Sequence, residues 1–183
     1  MTDIHCHILP GFDDGSPSVG ESVRMAEMAY ASGIRRTVAT PHFSALNGDI
    51  RRASEEIGRL FASLTEAVDG AGISLKLYLG AEVKMFSGIG SLELLSELTV
   101  NGTDYVLLEM PFEPWSENVF HELNQVRARG LRPIIAHIER YESLQKRTDN
   151  IERLMDSDVL IQANAEFFLQ RFGSGRAFRM LAG

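Results

Sequence analysis

Short apolar runs alternate with longer amphipathic stretches along this chain. Six of the short runs are rich in Ile, Val, Leu or Tyr, and most are bounded by Gly, Pro or polar residues, which is typical of β-strands. The predicted strands are residues 2–8, 35–40, 75–83, 104–110, 132–137 and 159–165.

The stretches between these strands carry apolar residues at helical spacing. Residues 49–69 show this most clearly, with Ile57, Leu60, Phe61 and Leu64 on one face. Glycine, a common residue just after a helix, directly follows residues 18–32 as Gly33 and residues 116–129 as Gly130. The predicted helices are residues 18–32, 49–69 and 116–129, with shorter ones at 91–98, at 149–156 and from about 175.

The alternation of strands and helices indicates parallel strands joined by helical crossovers. Six such units fit either a doubly wound sheet or a barrel-like one. A full eight-unit barrel typically needs about 250 residues, and this chain has 183. We therefore expect a single α/β domain that forms an incomplete or distorted barrel.

Composition and charge narrow the class of function. Hydrophobic residues make up 44% of the chain and the net charge is -7, so nucleic-acid binding has no bulk electrostatic support. One cysteine excludes an intrachain disulfide framework. The chain shows no apolar run long enough to span a bilayer and no signal-peptide pattern. We expect a cytoplasmic protein that is not embedded in a membrane; its oligomeric state stays open.

Residues that can bind metals gather at the ends of the predicted strands. Parallel strands end on one face of such a fold, and barrel enzymes build their active sites there. Ionisable residues placed by chance would also scatter over helices and turns. The six residues, contributed by five strands, are His5, His7, His42, Glu82, Glu109 and His137.

Each of these residues also has an ordinary structural explanation. His5 and His7 point to one side of a strand, because side chains alternate, and could be a hydrogen-bonded, partly buried pair. A single Glu after a strand is often a surface or capping residue. His121 lies inside a predicted helix and is expected to face solvent. The metal-site prediction therefore depends on all six residues falling at equivalent places.

The type of ligand limits the metal and the chemistry. Imidazoles and carboxylates without a thiolate favour Mn, Fe or Zn. Carboxylates can bridge two ions, which suits a site that activates water for phosphoester hydrolysis. Arg140, three residues after His137, could hold a phosphoryl group through two hydrogen bonds; a loop salt bridge is the alternative.

The acidic pair Asp13 and Asp14 lies in a glycine-flanked turn, where Asp is common. Its closeness to the first histidine pair suggests that one of the two touches the site. Asp14 could orient a ligand or donate a proton to the leaving group. Cys6 is expected to be a packing residue, because Phe12 stands where a thiol-type tyrosine phosphatase would need an arginine.

Six stretches together resemble a known family over nearly the whole chain, in order. They are "DIHCHILPGFDDG", "VATPHF", "GAEV", "LLEMP", "AHIERY" and "QANAEFF". The family is the PHP-domain (polymerase and histidinol phosphatase type) metal-dependent protein-tyrosine phosphatases of bacterial capsular and exopolysaccharide biosynthesis clusters. The resemblance implies a distorted TIM-like barrel of (β/α)7 type, with about seven strands.

The resemblance also implies an activity and a set of roles. The activity is hydrolysis of phosphotyrosine by metal-activated water, and the usual substrate is the tail of a bacterial tyrosine kinase. Two or three ions would be bound, foremost Mn, with Fe and Zn as alternatives. Arg140 matches the phosphate-binding arginine, and Asp14 matches the second Asp of the "DDG" element. The matched metal ligands are His5, His7, His42, Glu82, Glu109 and His137.

The chain departs from the family pattern near its end. Family members carry a late strand with "S-D-A-H", whose Asp and His complete the metal cluster, and no Asp-x-His follows His137 here. We therefore expect residues 1–183 to be a single PHP domain, truncated at the C-terminus relative to the family. Incomplete metal loading and low activity would follow.

Other functions stay open. The same scaffold could be a small-molecule phosphoesterase of the histidinol-phosphate type, or an inactive scaffold that binds little metal. Phe112 and Trp115, in the stretch 109–119, could form aromatic walls for a phosphotyrosine ring. Packing in a core or a lid is the more common role for such residues.

Overall fold

The computed structural model of this chain describes residues 1–44, 50–142, 144, 148–165 and 167. The predicted helix from about residue 175 lies outside these ranges. Each of the six predicted strands has a counterpart, in most cases shorter by one to several residues. The strands are β1 (Thr2–Cys6), β2 (Arg36–Ala39), β3 (His42–Phe43), β4 (Lys76–Leu79), β5 (Glu82–Lys84), β6 (Tyr105–Glu109), β7 (Arg132–Ile135) and β8 (Leu160–Ile161).

Four α-helices with defined ends lie within the described residues, and the helices predicted at 18–32, 49–69, 116–129 and 149–156 correspond to them. Ser18 caps the first helix, because its side chain accepts a hydrogen bond from the backbone N–H of Glu21 (3.2 Å). The helices are α1 (Val19–Ala31), α2 (Ile50–Gly70), α3 (Glu117–Ala128) and α4 (Thr148–Met155).

The helix predicted at 91–98 is wrong in type. The chain there forms two 3-10 segments, Ile89–Ser91 and Glu93–Leu98. The second segment has six residues, fewer than two α-helical turns, and 3-10 geometry brings residues three apart to the same side. Leu95 and Leu98, both buried, are spaced in this way.

All strand pairs are parallel and follow chain order. One sheet has the order β1-β2-β4, and the other has the order β3-β5-β6-β7-β8. The two sheets continue each other, since only two residues separate β2 from β3 and β4 from β5. The strand predicted at 75–83 is therefore two strands. Within the described residues no strand pairing joins β8 to β1, so the wall of strands stays open there.

Pro41 explains the break between β2 and β3. A proline has no backbone N–H and cannot continue the hydrogen-bond ladder of a central strand. Its carbonyl still accepts from the backbone N–H of Glu82 (3.0 Å), and Gly80 donates to the carbonyl of Ala39 (2.9 Å). Pairing therefore resumes beyond the break, where β3 pairs with β5.

The hydrophobic core lies between the sheet and its helices. Helix α2 contributes Ile57, Leu64 and Val68, each at most 3% exposed, as its predicted apolar face requires. The central strands contribute Val83 and Leu108, which have no exposed surface. The described part of the chain contains no helix long and apolar enough to cross a membrane.

Gly90 marks a close approach between the first 3-10 segment and α3. A Cβ atom at this position would lie 2.3 Å from Cβ of Gln125 and 3.3 Å from its backbone. Only a residue without a side chain fits, so the sequence at Gly90 fixes how closely α3 packs.

We expect Gly90→Ala to destabilise the fold by about 1–3 kcal/mol through overpacking. The matched control is Gly58→Ala in the interior of α2, where an added Cβ meets no atom within 4 Å. That change should stabilise the fold by about 0.5–1 kcal/mol, because alanine favours helix over glycine. Urea unfolding of both variants measures the two shifts. A Gly90→Ala protein as stable as the unmodified chain would contradict the close approach.

Candidate metal centre

A single buried carboxylate lies at the centre of the site. Glu82, the first residue of β5, is 1% exposed. Its Oε2 atom is 3.1 Å from Nε2 of His5, Nε2 of His7 and Nδ1 of His42. Its Oε1 atom is 2.7 Å from Nε2 of His137. The four histidines predicted as ligands, separated by up to 132 positions in sequence, thus contact one side chain.

A bulge in β1 aims the first histidine pair. Asp3 pairs with Thr37 and Cys6 pairs with Ala39, so the same stretch contains one more residue on β1 than on β2. The side chain of Asp3 accepts from the N–H of His5 (3.1 Å), which satisfies a donor that the bulge removes from the ladder. Thr40 Oγ1 accepts from the N–H of Cys6 (2.9 Å).

The other two histidines are also set by backbone irregularities. His42 begins β3 directly after the break at Pro41 and pairs in register with Glu82. His137 follows β7 and has φ 32° and ψ 57°, in the left-handed region that few residues other than glycine adopt. Such backbone strain persists only where the surroundings enforce it, and it is common at functional sites.

Asp13 orients two of the ligand candidates. Its Oδ2 atom lies 2.7 Å from Nδ1 of His7 and accepts from the backbone N–H of His42 (2.9 Å). Oδ1 accepts from the N–H of Gly15 (3.0 Å), and only 5% of the side chain is exposed. With Nδ1 bonded to the carboxylate, Nε2 of His7 faces Glu82. A carboxylate behind the far nitrogen is the usual support of a metal-binding histidine.

Gln162, directly after β8, supports the other two ligand candidates, His5 and His137. Its Oε1 atom accepts from the backbone N–H of His137 (2.7 Å) and lies 3.1 Å from Nδ1 of His5. Its Nε2 atom donates to Oδ1 of Asn164 (3.0 Å), which fixes the orientation of the amide. Because an amide oxygen can only accept, Nδ1 of His5 carries the hydrogen and Nε2 faces Glu82.

The protonation of the cluster follows from these contacts. Burial by itself raises the pKa of Glu82, but the contacts with His137, His5 and His7 outweigh it and hold that pKa far below its usual range. Burial by itself lowers the pKa of His7, yet the hydrogen bond to Asp13 and the close contact with the Glu82 carboxylate raise it to about 10. In the absence of a metal ion, a proton on His7 thus balances the buried negative charge.

The spacing of the donor atoms fits a divalent cation. Two atoms bound at right angles to one ion, with bonds of about 2.1 Å, are separated by about 3.0 Å. Nε2 of His5 and Nε2 of His7 are 3.2 Å apart, and each is 3.1 Å from Oε2 of Glu82. That oxygen is buried and has no hydrogen bond of good geometry, although three nitrogens touch it. This spacing suits donor atoms that share one ion.

Further carboxylates extend the cluster. Oε1 of Glu109 is 3.8 Å from Nε2 of His137, and Glu109 forms a ligand group with His42 and Glu82. Asp14, 79% exposed, places Oδ1 at 3.4 Å from Nε2 of His42 and forms another group with His7 and His42. All six predicted ligand residues therefore lie together. Overlapping ligand groups are what a site with more than one ion requires.

These side chains open onto a cavity of about 250 Å³. Arg140 and Asp14 line it together with the histidines and Asn164. Arg140 is exposed, and among the described residues no carboxylate pairs with its guanidinium. The guanidinium is available to an anionic group in the cavity.

Four further residues considered in the sequence, which are not among the ligand candidates, are Cys6, Trp115, Phe112 and His121. Burial, and then the nearby Asp3 and Asp13, raise the pKa of Cys6 to about 12, so its thiol stays protonated and is a poor nucleophile, as expected of a packing residue. Trp115 is 6% exposed and belongs to the core, whereas Phe112 is 51% exposed. His121 is exposed on α3, as predicted.

Sequence reasoning missed the supporting roles of Asp13 and Gln162. The sequence suggests that Asp13 or Asp14 touches the site but assigns the possible ligand-orienting role to Asp14, and Gln162 enters only as part of the "QANAEFF" stretch. Periodicity carries no signal for either role. Only the contact of Gln162 with His5, 157 positions away, reveals what it does.

The sequence of this chain is similar to those of known proteins. The family model for capsular polysaccharide synthesis, CpsB/CapC, matches residues 1–180. The tyrosine-protein phosphatase YwqE of Bacillus subtilis is 30% identical over 177 residues, which cover 94% of this chain and 68% of YwqE. The tyrosine-protein phosphatase CpsB of Streptococcus pneumoniae is 30% identical over 168 residues, which cover 90% and 68% of the two chains.

A solved structure matches as well. It comes from the crystal structures of YwqE from Bacillus subtilis and CpsB from Streptococcus pneumoniae, described as unique metal-dependent tyrosine phosphatases. The TM-score is 0.79 at 28% identity, with coverage of 89% of this chain and 66% of that chain. This chain thus spans about two thirds of the length of these relatives.

We expect Asp13→Asn to lower the pKa of His7 in the metal-free protein, because the variant keeps an acceptor but loses the negative charge. Imidazole nitrogen NMR in the presence of a chelator measures this pKa. Asp14→Asn is the matched control: Asp14 is 79% exposed and 4.0 Å from Nδ1 of His7, so the shift should be smaller. An unchanged His7 pKa in Asp13→Asn would refute the proposed support.

Proposed function

This chain belongs to the CpsB/CapC family of capsular polysaccharide synthesis, and from that premise we propose that it hydrolyses phosphotyrosine with the help of divalent metal ions. The family predicted from the sequence motifs is confirmed. Relatives that cover most of the chain are named tyrosine-protein phosphatases. The observation that carries the proposal is the convergence of the imidazoles on Glu82, beside a cavity that the exposed Arg140 also lines.

The proposed metals are two or three ions of Mn²⁺, with Fe and Zn as alternatives, because the donors are nitrogen and oxygen only. When bound, the ions would supply an activated water and neutralise the phosphoryl oxygens. Glu82, with both oxygens in contact with imidazoles, would be the central carboxylate among the residues that hold them. The residues that would hold the ions are His5, His7, His42, Glu82, Glu109 and His137.

Two other side chains would act on the substrate. The guanidinium of Arg140 would hold the phosphoryl group through paired hydrogen bonds. Asp14, at the rim of the cavity, would donate a proton to the departing phenolate oxygen, which helps because a tyrosine hydroxyl has a pKa of about 10. Asp13 and Gln162 would keep the ligand histidines in one tautomer and orientation.

The biological setting is part of the same proposal. The substrate would be the phosphotyrosine-bearing tail of a bacterial tyrosine kinase that regulates capsule or exopolysaccharide synthesis, and the protein would act in the cytoplasm. We also propose that residues 1–183 form a single PHP domain. The open parallel wall of strands would be part of a distorted, seven-stranded PHP barrel.

We expect the Mn-loaded chain to release phosphate from a phosphotyrosine peptide, and His42→Ala or Arg140→Ala to lower kcat/KM at least roughly 100-fold. The two losses should differ in kind, because His42→Ala should also lower bound metal while Arg140→Ala should not. His121→Ala is the matched control: it removes the one histidine outside the cluster, which is exposed on α3, and should leave both readouts unchanged.

The measurements are phosphate release and elemental analysis of the purified proteins. Retained activity in His42→Ala would rule out the proposed centre. Faster turnover of histidinol phosphate than of the peptide would favour the small-molecule phosphoesterase instead. A chain that binds no metal in the presence of Mn²⁺ would favour the inactive scaffold.

We expect the effect of Asp14→Asn to depend on the leaving group if Asp14 donates a proton. With phenyl phosphate kcat should fall at least roughly tenfold, but with p-nitrophenyl phosphate, whose phenolate leaves without a proton, much less. Asp14 also lies at ligand distance from His42 (3.4 Å). Equal losses on both substrates, together with less bound metal, would identify Asp14 as a ligand and refute its role as the acid.

A further inference from the structure

Phe112 is an exposed aromatic ring beside the candidate centre. It lies in the loop that follows β6, three residues after Glu109. Half of its side chain is exposed (51%), and every other aromatic residue in the described ranges is at least partly buried. Exposing a ring of this size loses the stabilisation that burial would give. The contacts of the Phe112 ring explain its exposed position.

The ring stacks against a candidate metal ligand. The planes of Phe112 and His137 are inclined by only 7°, with centroids 6.3 Å apart, which is an offset parallel arrangement. Tyr141 packs against both rings, with centroids 5.6 Å from each. Phe112 is therefore held in place on one side while its remaining surface faces solvent.

Tyr141 also holds the loop. It is fully buried, and its hydroxyl accepts a hydrogen bond from the backbone N–H of Met110 (2.9 Å), two residues before Phe112. Trp115, on the other side, is buried, and its indole N–H donates to the carbonyl of Pro111 (2.9 Å). The exposed ring thus sits on a loop with a buried anchor at each end, and its position is built into the fold.

The phosphate-binding candidate lies on the same side. Ile138–Arg140 is a 3-10 turn preceded by His137. Arg140 and His137 line the same cavity, and Phe112 stacks against the His137 ring. A phosphoryl group held by Arg140 over the histidine cluster would place its ester substituent near the outer face of Phe112.

We propose that Phe112 is the specificity-determining residue that selects phosphate esters of aromatic alcohols over those of aliphatic alcohols. The inference rests on the proposed phosphatase function and names the part of the site that reads the phenyl ring. A phosphotyrosine ring can lie flat on Phe112 while its phosphoryl group reaches the centre. A phosphoserine side chain has no ring and gains nothing from that surface.

The test compares Phe112→Leu with the unmodified chain, both loaded with Mn²⁺, on one peptide carrying either phosphotyrosine or phosphoserine. We expect kcat/KM for the phosphotyrosine peptide to fall roughly tenfold, mainly through KM, while the value for the phosphoserine peptide changes less than twofold. Phe112→Trp, which keeps a flat ring, should retain the preference. Met28→Ala, on α1 and 68% exposed, is the control for loss of an exposed apolar side chain.

Equal losses on both peptides would overturn the inference, because they would mean that Phe112 only supports the His137 ring. An unchanged preference in Phe112→Leu would overturn it as well.

Binding separates this inference from the phosphatase proposal. Benzylphosphonate and methylphosphonate are titrated calorimetrically into the Mn²⁺-loaded proteins. If the unmodified chain hydrolyses neither peptide, the proposed function fails, and the binding ratio still decides on Phe112. A preference for benzylphosphonate over methylphosphonate that Phe112→Leu abolishes would support the role of Phe112. An equal ratio of the two affinities in both proteins would refute it.

Discussion

The site is organised around the burial of the Glu82 carboxylate. A buried negative charge costs several kcal/mol unless it is compensated by positive charge or hydrogen bonds. Compensation here comes from four imidazoles in or next to the three strands β1, β3 and β7, and both carboxylate oxygens are in contact with nitrogen. Strands β1, β3 and β7 therefore have to reach the same place. The centre and the sheet depend on each other.

The sheet is irregular where it meets this carboxylate. Toward the amino ends of its strands the parallel pairing is regular, as in the register of β2 with β4. Toward the site, β1 bulges, Pro41 interrupts β2, and His137 adopts a left-handed conformation. Each irregularity redirects a histidine toward Glu82 from a strand that would otherwise continue past it. Irregular backbone at one end of a regular sheet is how such folds aim side chains.

A second layer ties neighbouring elements together through side chains. Asp13 joins the end of β1 to the start of β3, since one carboxylate oxygen serves both His7 and His42. Gln162 does the same for His5 and His137. It also bridges β8 and β1, between which the described residues form no strand pairing. The two open edges of the wall are thus linked at the site by one amide rather than by a backbone ladder.

The sequence alone determined the α/β class with parallel strands, and it predicted the six candidate ligands that the structure brings together. Hydrophobic periodicity reports local burial, and parallel strands bring their ends to one face, so His5 and Glu109 could be placed near each other without coordinates. Tertiary structure decided the break in the strand predicted at 75–83 and the exposure of Phe112 beside the buried Trp115. It also decided the roles of Asp13 and Gln162. These features depend on contacts between residues far apart in the chain, which no local pattern encodes.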